Sequence, residues 1–421
     1  MKKPQITKCT AREIIDSRGN PTVEATVFLE DGTVGVASVP SGASTGKFEA
    51  HELRDGDKER FFGKGVMTAV TNVCKKISPA IEGLCACEQY EIDKRMKEID
   101  GTENKSELGA NAMLAVSLAS ARAAANWFGL PLYKYLGGAC VRRLPVPMMN
   151  ILNGGAHASN NIEIQEFMIV PSGVGSMADG VRAGCEIYHT LGKILKKRGL
   201  SATVGDEGGY APDLSSDEAA LDLIVRAIEE AGYDTDKVKI ALDVASSEWY
   251  SEEKHKYIMK KRGTEKNSDE LIDYIEDLCK RYPIISVEDG LDQDDFEGWT
   301  KLTERIGGAR MLVGDDLFVT NTKRLKKGID MGAANAILIK PNQIGTLTET
   351  LDVITLARDA GYKFILSHRS GETEDATLAD IAVATGAGFI KCGAPARAER
   401  TAKYNRLLKI EASIGKSSRY Y

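Results

Sequence analysis

The chain lacks the features that would direct it to a membrane, a secretory route or a nucleic acid. No apolar leader opens it: Met1-Lys2-Lys3-Pro4-Gln5 runs straight into alternating strand-like sequence, so the cytoplasm is the expected location. No run is apolar enough to span a bilayer. The most apolar helical stretch, 110 to 130, is broken by Ser117, Ser120, Arg122 and Asn126 and is expected to be a packed amphipathic helix. Positive charge is in deficit, with 55 Lys and Arg against 61 Asp and Glu and a net charge of −6, which argues against a nucleic-acid or membrane-surface footprint. A small anionic substrate would therefore need locally gathered cations. Cysteine builds no framework either. The eight are scattered, only Cys85 and Cys87 stand close together, and no second pair or nearby His completes a zinc site, so they read as reduced core thiols.

What is present is a soluble globular composition, 43% apolar and 28% charged, over 421 residues, enough for two domains of which the larger is long enough for a barrel. Residues 1 to about 60 read as an antiparallel meander, with alternation over 22–29 and 34–39 and a hairpin turn at Asp31-Gly32. From about 66 to 130 the apolar spacing turns helical, and Gly137-Gly138 with Pro145 and Pro147 punctuate the end of this α+β region.

Beyond that point a unit recurs. Short apolar runs end in a polar or charged group: Ile240 to Asp243, Ile284 to Glu288, Met311 to Asp315, Ala336 to Lys340, Phe364 to His368 and Phe389 to Lys391. Successive ends lie about 25 to 45 residues apart, the span of a strand, a crossover helix and two loops. Such runs predict a parallel sheet buried on both faces, and polar groups confined to the strand ends are what a β/α barrel uses as a site. Unrelated buried charges would each cost several kcal/mol unless paired.

Two motifs mislead. Gly173-Val174-Gly175-Ser176-Met177-Ala178 follows a strand-like segment and opens a helix, but the acidic residue a dinucleotide site needs about twenty positions on is replaced by Lys196-Lys197-Arg198-Gly199. Gly42-Ala43-Ser44-Thr45-Gly46-Lys47-Phe48 is one residue short of a phosphate loop and reads as a mobile lid.

Asp243, Glu288 and Asp315 offer hard oxygen ligands with no His or Cys among them, a donor set that suits Mg²⁺. The next strand ends supply Lys340, Ser367-His368-Arg369-Ser370 and Lys391, a setting for recognition of an anion. Two lysines facing one metal site repel, so the more buried is expected to have a lowered pKa and to serve as a base near neutral pH.

Six segments in order, Asp16 to Glu24, Pro40 to Gly46, Gln165 to Ile169, Val204 to Gly209, Val313 to Leu317 and Ser367 to Thr373, resemble enolase of the bacterial type, and the resemblance runs from about residue 6 to the end. It implies an N-terminal α+β capping domain over 1–138 and an enolase-type β/α barrel over 139–421. The implied activity is reversible, Mg²⁺-dependent dehydration of 2-phosphoglycerate to phosphoenolpyruvate, as in glycolysis and gluconeogenesis. By the same resemblance, Asp243, Glu288 and Asp315 match ligands of one Mg²⁺ and Ser44 a ligand of a second. Lys340 matches the base that takes the C2 proton, and Glu207 the acid for the departing 3-hydroxyl, which neighbours such as Glu166 should keep protonated. Lys391 matches a holder of the substrate carboxylate, Arg369, Ser370 and Ser367 the phosphate grip, and His157, Gln165, Glu166 and His368 the surroundings of the leaving group. A homodimer or octamer is implied, with surface display or release a further expectation. The ending Ser418-Arg419-Tyr420-Tyr421, without a terminal lysine, speaks against plasminogen capture.

Two further departures carry expectations of their own. Pro341 removes a backbone donor beside Lys340, and Cys392 puts a thiol beside Lys391 that should make activity sensitive to oxidation. Epimerase relatives on the same barrel tend to carry paired lysines on an early strand, and 165–168 has none; a catalytically idle copy should have lost a ligand or the base, and each matching position is filled.

Overall fold

The computed structural model describes residues 3–42 and 46–420; Ser44 and the centre of the expected lid lie outside the described residues. Strands β1 (Ile6–Ile15), β2 (Pro21–Leu29) and β3 (Val34–Ser38) form the expected antiparallel meander. The Asp31-Gly32 turn closes because Asp31 Oδ1 accepts from Thr33 N at 2.9 Å and Gly32 adopts φ +88°.

The inward row Val23, Ala25, Val27 and Leu29 buries itself against helix α1 (Ala110–Trp127). That helix is not amphipathic as its interruptions suggest. Every residue from Ala110 to Ala121 is buried, because the sheet covers one side and the second domain the other. Its polar residues serve that second contact: Ser117 Oγ accepts from Leu347 N at 2.9 Å, and Arg122 pairs with Asp375 at 2.8 Å. Among the described residues no helix is long and apolar enough to cross a membrane.

All six expected apolar runs are strands of one closed eight-stranded barrel. The strands are β4 (Val146–Asn153), β5 (Glu166–Val170), β6 (Lys239–Asp243), β7 (Ile284–Glu288), β8 (Met311–Gly314), β9 (Ala336–Ile339), β10 (Lys363–Ser367) and β11 (Phe389–Lys391). Around the ring they follow the order β7-β8-β9-β10-β11-β4-β5-β6.

The expectation of an all-parallel sheet fails at one strand. β5 runs antiparallel to both neighbours, with Asn153 opposite Glu166 and Glu166 opposite Asp243. The link over 154–165 holds only a single turn of 3-10 helix, too little to carry the chain back down the barrel, so β5 must return as a hairpin. Two helices, α2 (Met177–Lys197) and α3 (Asp217–Glu230), then run up and down before β6 starts. As a result Glu166, the first residue of β5, lies at the same barrel mouth as the last residues of the other strands. The loop between α2 and α3 brings Glu207 there as well.

Val146, Met148, Met168, Val313, Leu338 and Ile365 fill the barrel interior below this mouth. In the N-terminal domain the tightest constraint is Gly35, where a Cβ would stand 2.1 Å from Ala119 O and 2.3 Å from Ala123 N of α1. Backbone on both sides cannot give way. Gly35→Val should lower folding stability by about 3 kcal/mol, read as a depressed melting temperature; an unchanged melt would mean that α1 can move off the sheet.

Candidate functional site

The mouth holds a small polar cavity of about 30 Å³. The structure brings the described residues singled out in the sequence to this one place: His157, Gln165, Glu166, Glu207, Asp243, Asp315, Lys340, Ser367, His368, Arg369, Ser370 and Lys391 all line it. Glu288 is fully buried and joins the site through Lys391.

Lys391, at the end of β11, is 2% exposed, and its ammonium lies 2.9 Å from Glu288, 3.0 Å from Asp243 and 3.2 Å from Glu166. Gln165 Nε2 completes the grip on Asp243 at 3.4 Å. Lys340 ends β9 with extended backbone (φ −121°, ψ 102°) and pairs with Asp315. Pro341 is no defect here. It opens helix α4 (Pro341–Ile344), a position where a backbone N–H has no intrahelical partner to lose, while Lys340 N donates to Thr320 Oγ1 at 2.9 Å.

The lysine expectation is overturned in this ligand-free arrangement. Burial alone would lower both, but Asp315 raises the Lys340 pKa, and Asp243, Glu166 and Glu288 hold Lys391 well above its ordinary value. The expectation of a raised Glu207 fails. Burial followed by the charge of Glu207 pushes Glu166 well above the usual carboxylate range, whereas for Glu207 burial is outweighed by His368, His157 and Arg400, which leave it well below. The two carboxyls are thus driven in opposite directions. Glu207 is held by Asn150 Nδ2 at 3.1 Å and Ser370 Oγ at 3.3 Å, with His368 Nε2 3.3 Å away; His157 Nδ1 lies 3.5 Å from Glu166. Nor is Cys392 a reactive thiol: burial pushes it up to about 12, which keeps it protonated and inert.

Several residues escaped the sequence reading. Asn150 is an amide set inside the apolar run of β4, which is a signal of a kind. Asp289 and Asp316 directly follow named carboxylates. Asp289 takes φ +43°, a strained value for a non-glycine, and accepts the N–H groups of Asp315 and Asp316 at 2.9 Å each, so it aims the end of β8. Glu49 had no local signal. It meets Arg369 bidentately at 2.9 and 3.1 Å, so a carboxylate of the chain itself occupies the expected anion grip.

Charge decides what the cavity can take. Eight carboxylates line it against Lys340, Arg369 and Lys391, so a phosphate or carboxylate would be repelled unless further cations neutralise the acids. Asp289, Asp315 and Asp316 bring ligand oxygens within 4.8 Å of one another, and a ring nitrogen of His157 stands as close to oxygens of Glu166 and Glu207. The crowding is visible at Glu288, pushed well above its usual range first by burial and then by Asp243. Buried, oxygen-rich and short of positive charge, the donors fit a hard divalent cation.

Comparison with known families accords with this geometry. Residues 6–136 match the model described as "Enolase, N-terminal domain", and residues 141–421 the model described as "Enolase, C-terminal TIM barrel domain".

Two outcomes follow from the site as it stands. A divalent cation lowers the pKa of carboxylates that burial has raised, so binding should expel protons and tighten as pH rises from about 6 to 8. Calorimetry in buffers of different ionisation enthalpy reads this, and binding without proton release would contradict it. Glu49→Ala removes the internal competitor for Arg369 and should tighten binding of inorganic phosphate by about tenfold, roughly 1.4 kcal/mol; equal affinity would show that Glu49 does not contest the grip.

Proposed function

Because the chain belongs to the enolase family, we propose that it catalyses the reversible dehydration of 2-phosphoglycerate to phosphoenolpyruvate, with 1–138 as the capping domain and 139–421 as the catalytic barrel. The observation that carries this reading is the placement of base and acid around the ring. Lys340 follows β9, and β5, which starts at Glu166, stands four strands away in a ring of eight. Glu207 bonds to Asn150 of β4 beside it. Base and acid therefore stand on opposite sides of whatever binds between them, as an anti elimination requires.

The remaining roles follow ring position. Asp243, Glu288 and Asp315 end the three consecutive strands β6, β7 and β8 and would hold one Mg²⁺, with Ser44 offered to a second. Those ions would supply charge stabilisation for the carboxylate as the C2 proton leaves. Arg369 and Ser370, with Ser367, grip phosphate once Glu49 is displaced. Lys391 faces the substrate carboxylate.

Lys340 must be neutral to accept a proton. Once Asp315 no longer serves as its counter-ion, burial, Arg369 and Lys391 all push it that way. Its amine then takes the C2 proton, the electron pair forms the C2=C3 bond, and the 3-hydroxyl departs as water with a proton from the Glu166–Glu207 pair. His157 stands against Glu166, and Gln165 holds Asp243 in place.

The test is phosphoenolpyruvate absorbance after mixing protein with 2-phosphoglycerate, with Mg²⁺ and with EDTA. Turnover should appear only with Mg²⁺; its absence in folded, Mg²⁺-loaded protein would refute the assignment. Lys340→Ala should lose both turnover and exchange of the C2 hydrogen with D₂O, whereas Glu207→Gln should lose about 10²–10⁴ in turnover yet keep the exchange. Loss of exchange in both variants would contradict separate acid and base.

A further inference from the structure

Arg400 sits in the first turn of helix α5 (Ala398–Ile414) and is fully buried, at 0% exposure. Its guanidinium meets no carboxylate face on; among the described residues only Glu399 lies in ion-pair range, 3.4 Å from Nε. An apolar side chain of like volume would fill that space at lower cost. The contacts that Arg400 makes instead all lead to the acid side of the site. Nη1 lies 2.6 Å from His368 Nδ1 and donates to Arg369 O at 2.6 Å, and Nη2 donates to Ser370 O at 2.5 Å and to Asp206 O at 3.2 Å.

An arginine has donors and no acceptor, so His368 Nδ1 must be the acceptor in this contact. The proton of the neutral ring is then on Nε2, the nitrogen that faces Glu207 Oε2 at 3.3 Å. Burial favours that neutral ring, lowering the His368 pKa to about 4, with Glu207 opposing and Arg400 assisting. The other contacts tie the loop that carries Glu207 to the turn that carries Ser370, whose Oγ lies 3.3 Å from Glu207 Oε1.

We propose that Arg400 is a positioning residue for the acid step: it fixes His368 as the Nε2–H tautomer and clamps the 206–207 and 369–370 segments so that Glu207 meets the leaving group from one direction. This rests on the reaction assigned above, but its first test does not. Ring ¹⁵N shifts of histidine-labelled protein, with the His368 signals identified by their loss in His368→Gln, should show a protonated Nε2 and a bare Nδ1 in the unmodified enzyme. A proton on Nδ1 would overturn the proposal whether or not the enzyme turns over. In Arg400→Lys and Arg400→Met, checked for folding by melting and by divalent-cation binding, the His368 tautomers should mix. Turnover number should fall about hundredfold while KM changes less than about threefold. A variant that folds with its tautomer and turnover number intact would overturn it too. If neither variant folds, the tautomer in the unmodified enzyme decides. Failure of the unmodified enzyme to turn over would instead strike the assigned reaction and leave the tautomer result standing.

Discussion

The ammonium of Lys391 is the point on which the site depends. It lies within 3.2 Å of Glu166, Asp243 and Glu288, carboxylates delivered by three neighbouring strands, and almost no water reaches any of them. Without that cation the three acids would repel at close range in a medium where charge is poorly screened, and removing one partner of a buried pair commonly costs several kcal/mol. β11 brings Lys391 there by pairing with β4 across the seam where the last strand meets the first, Lys391 opposite Met148. Closure of the barrel and assembly of the site are thus one event.

One cation cannot balance eight carboxylates, and the imbalance explains much else. Glu166 and Glu288 are pushed well above the usual carboxylate range, Lys340 pairs with Asp315, and Glu49 covers Arg369. Each is a provisional pairing made by the chain itself, and each involves a group that must change partner for an anion to be bound and a proton moved. Arg400 is the contrast. It donates to backbone carbonyls and one imidazole, with only Glu399 in ion-pair range among the described residues, and it lowers the pKa of both Glu207 and His368 while holding them in place.

The parts of the fold that were legible in the sequence were those written locally. Six apolar runs ending in a functional group gave six of eight barrel strands, and the meander was read from alternation and one turn. β4 was hidden because Pro145 and Pro147 look like a boundary, although Pro147 pairs within the sheet opposite Ile390. The reversed direction of β5 leaves no trace in its own residues; it follows from the shortness of the link before it. At the site, the described residues singled out in the sequence converge on one mouth, but their ionisation does not follow the expectation. Glu207 is lowered where a raised carboxyl was expected, and Lys340 is raised rather than lowered, because these shifts depend on partners remote in sequence. Asn150, Glu49 and Arg400 act only through such long-range contacts. Ser44 lies outside the described residues.

The central claim is that the strand-end carboxylates Asp243, Glu288 and Asp315 form a divalent-cation site, with Lys340 on one side and Glu207 on the other. A crystal structure with Mn²⁺ in place of Mg²⁺, phased on the anomalous signal of the metal, tests it most directly. The account predicts an anomalous peak ligated by oxygens of these three residues, with Lys340 released from Asp315. A peak held instead by His157, Glu166 and Glu207, or by Asp289 and Asp316 without Asp243 and Glu288, would contradict it.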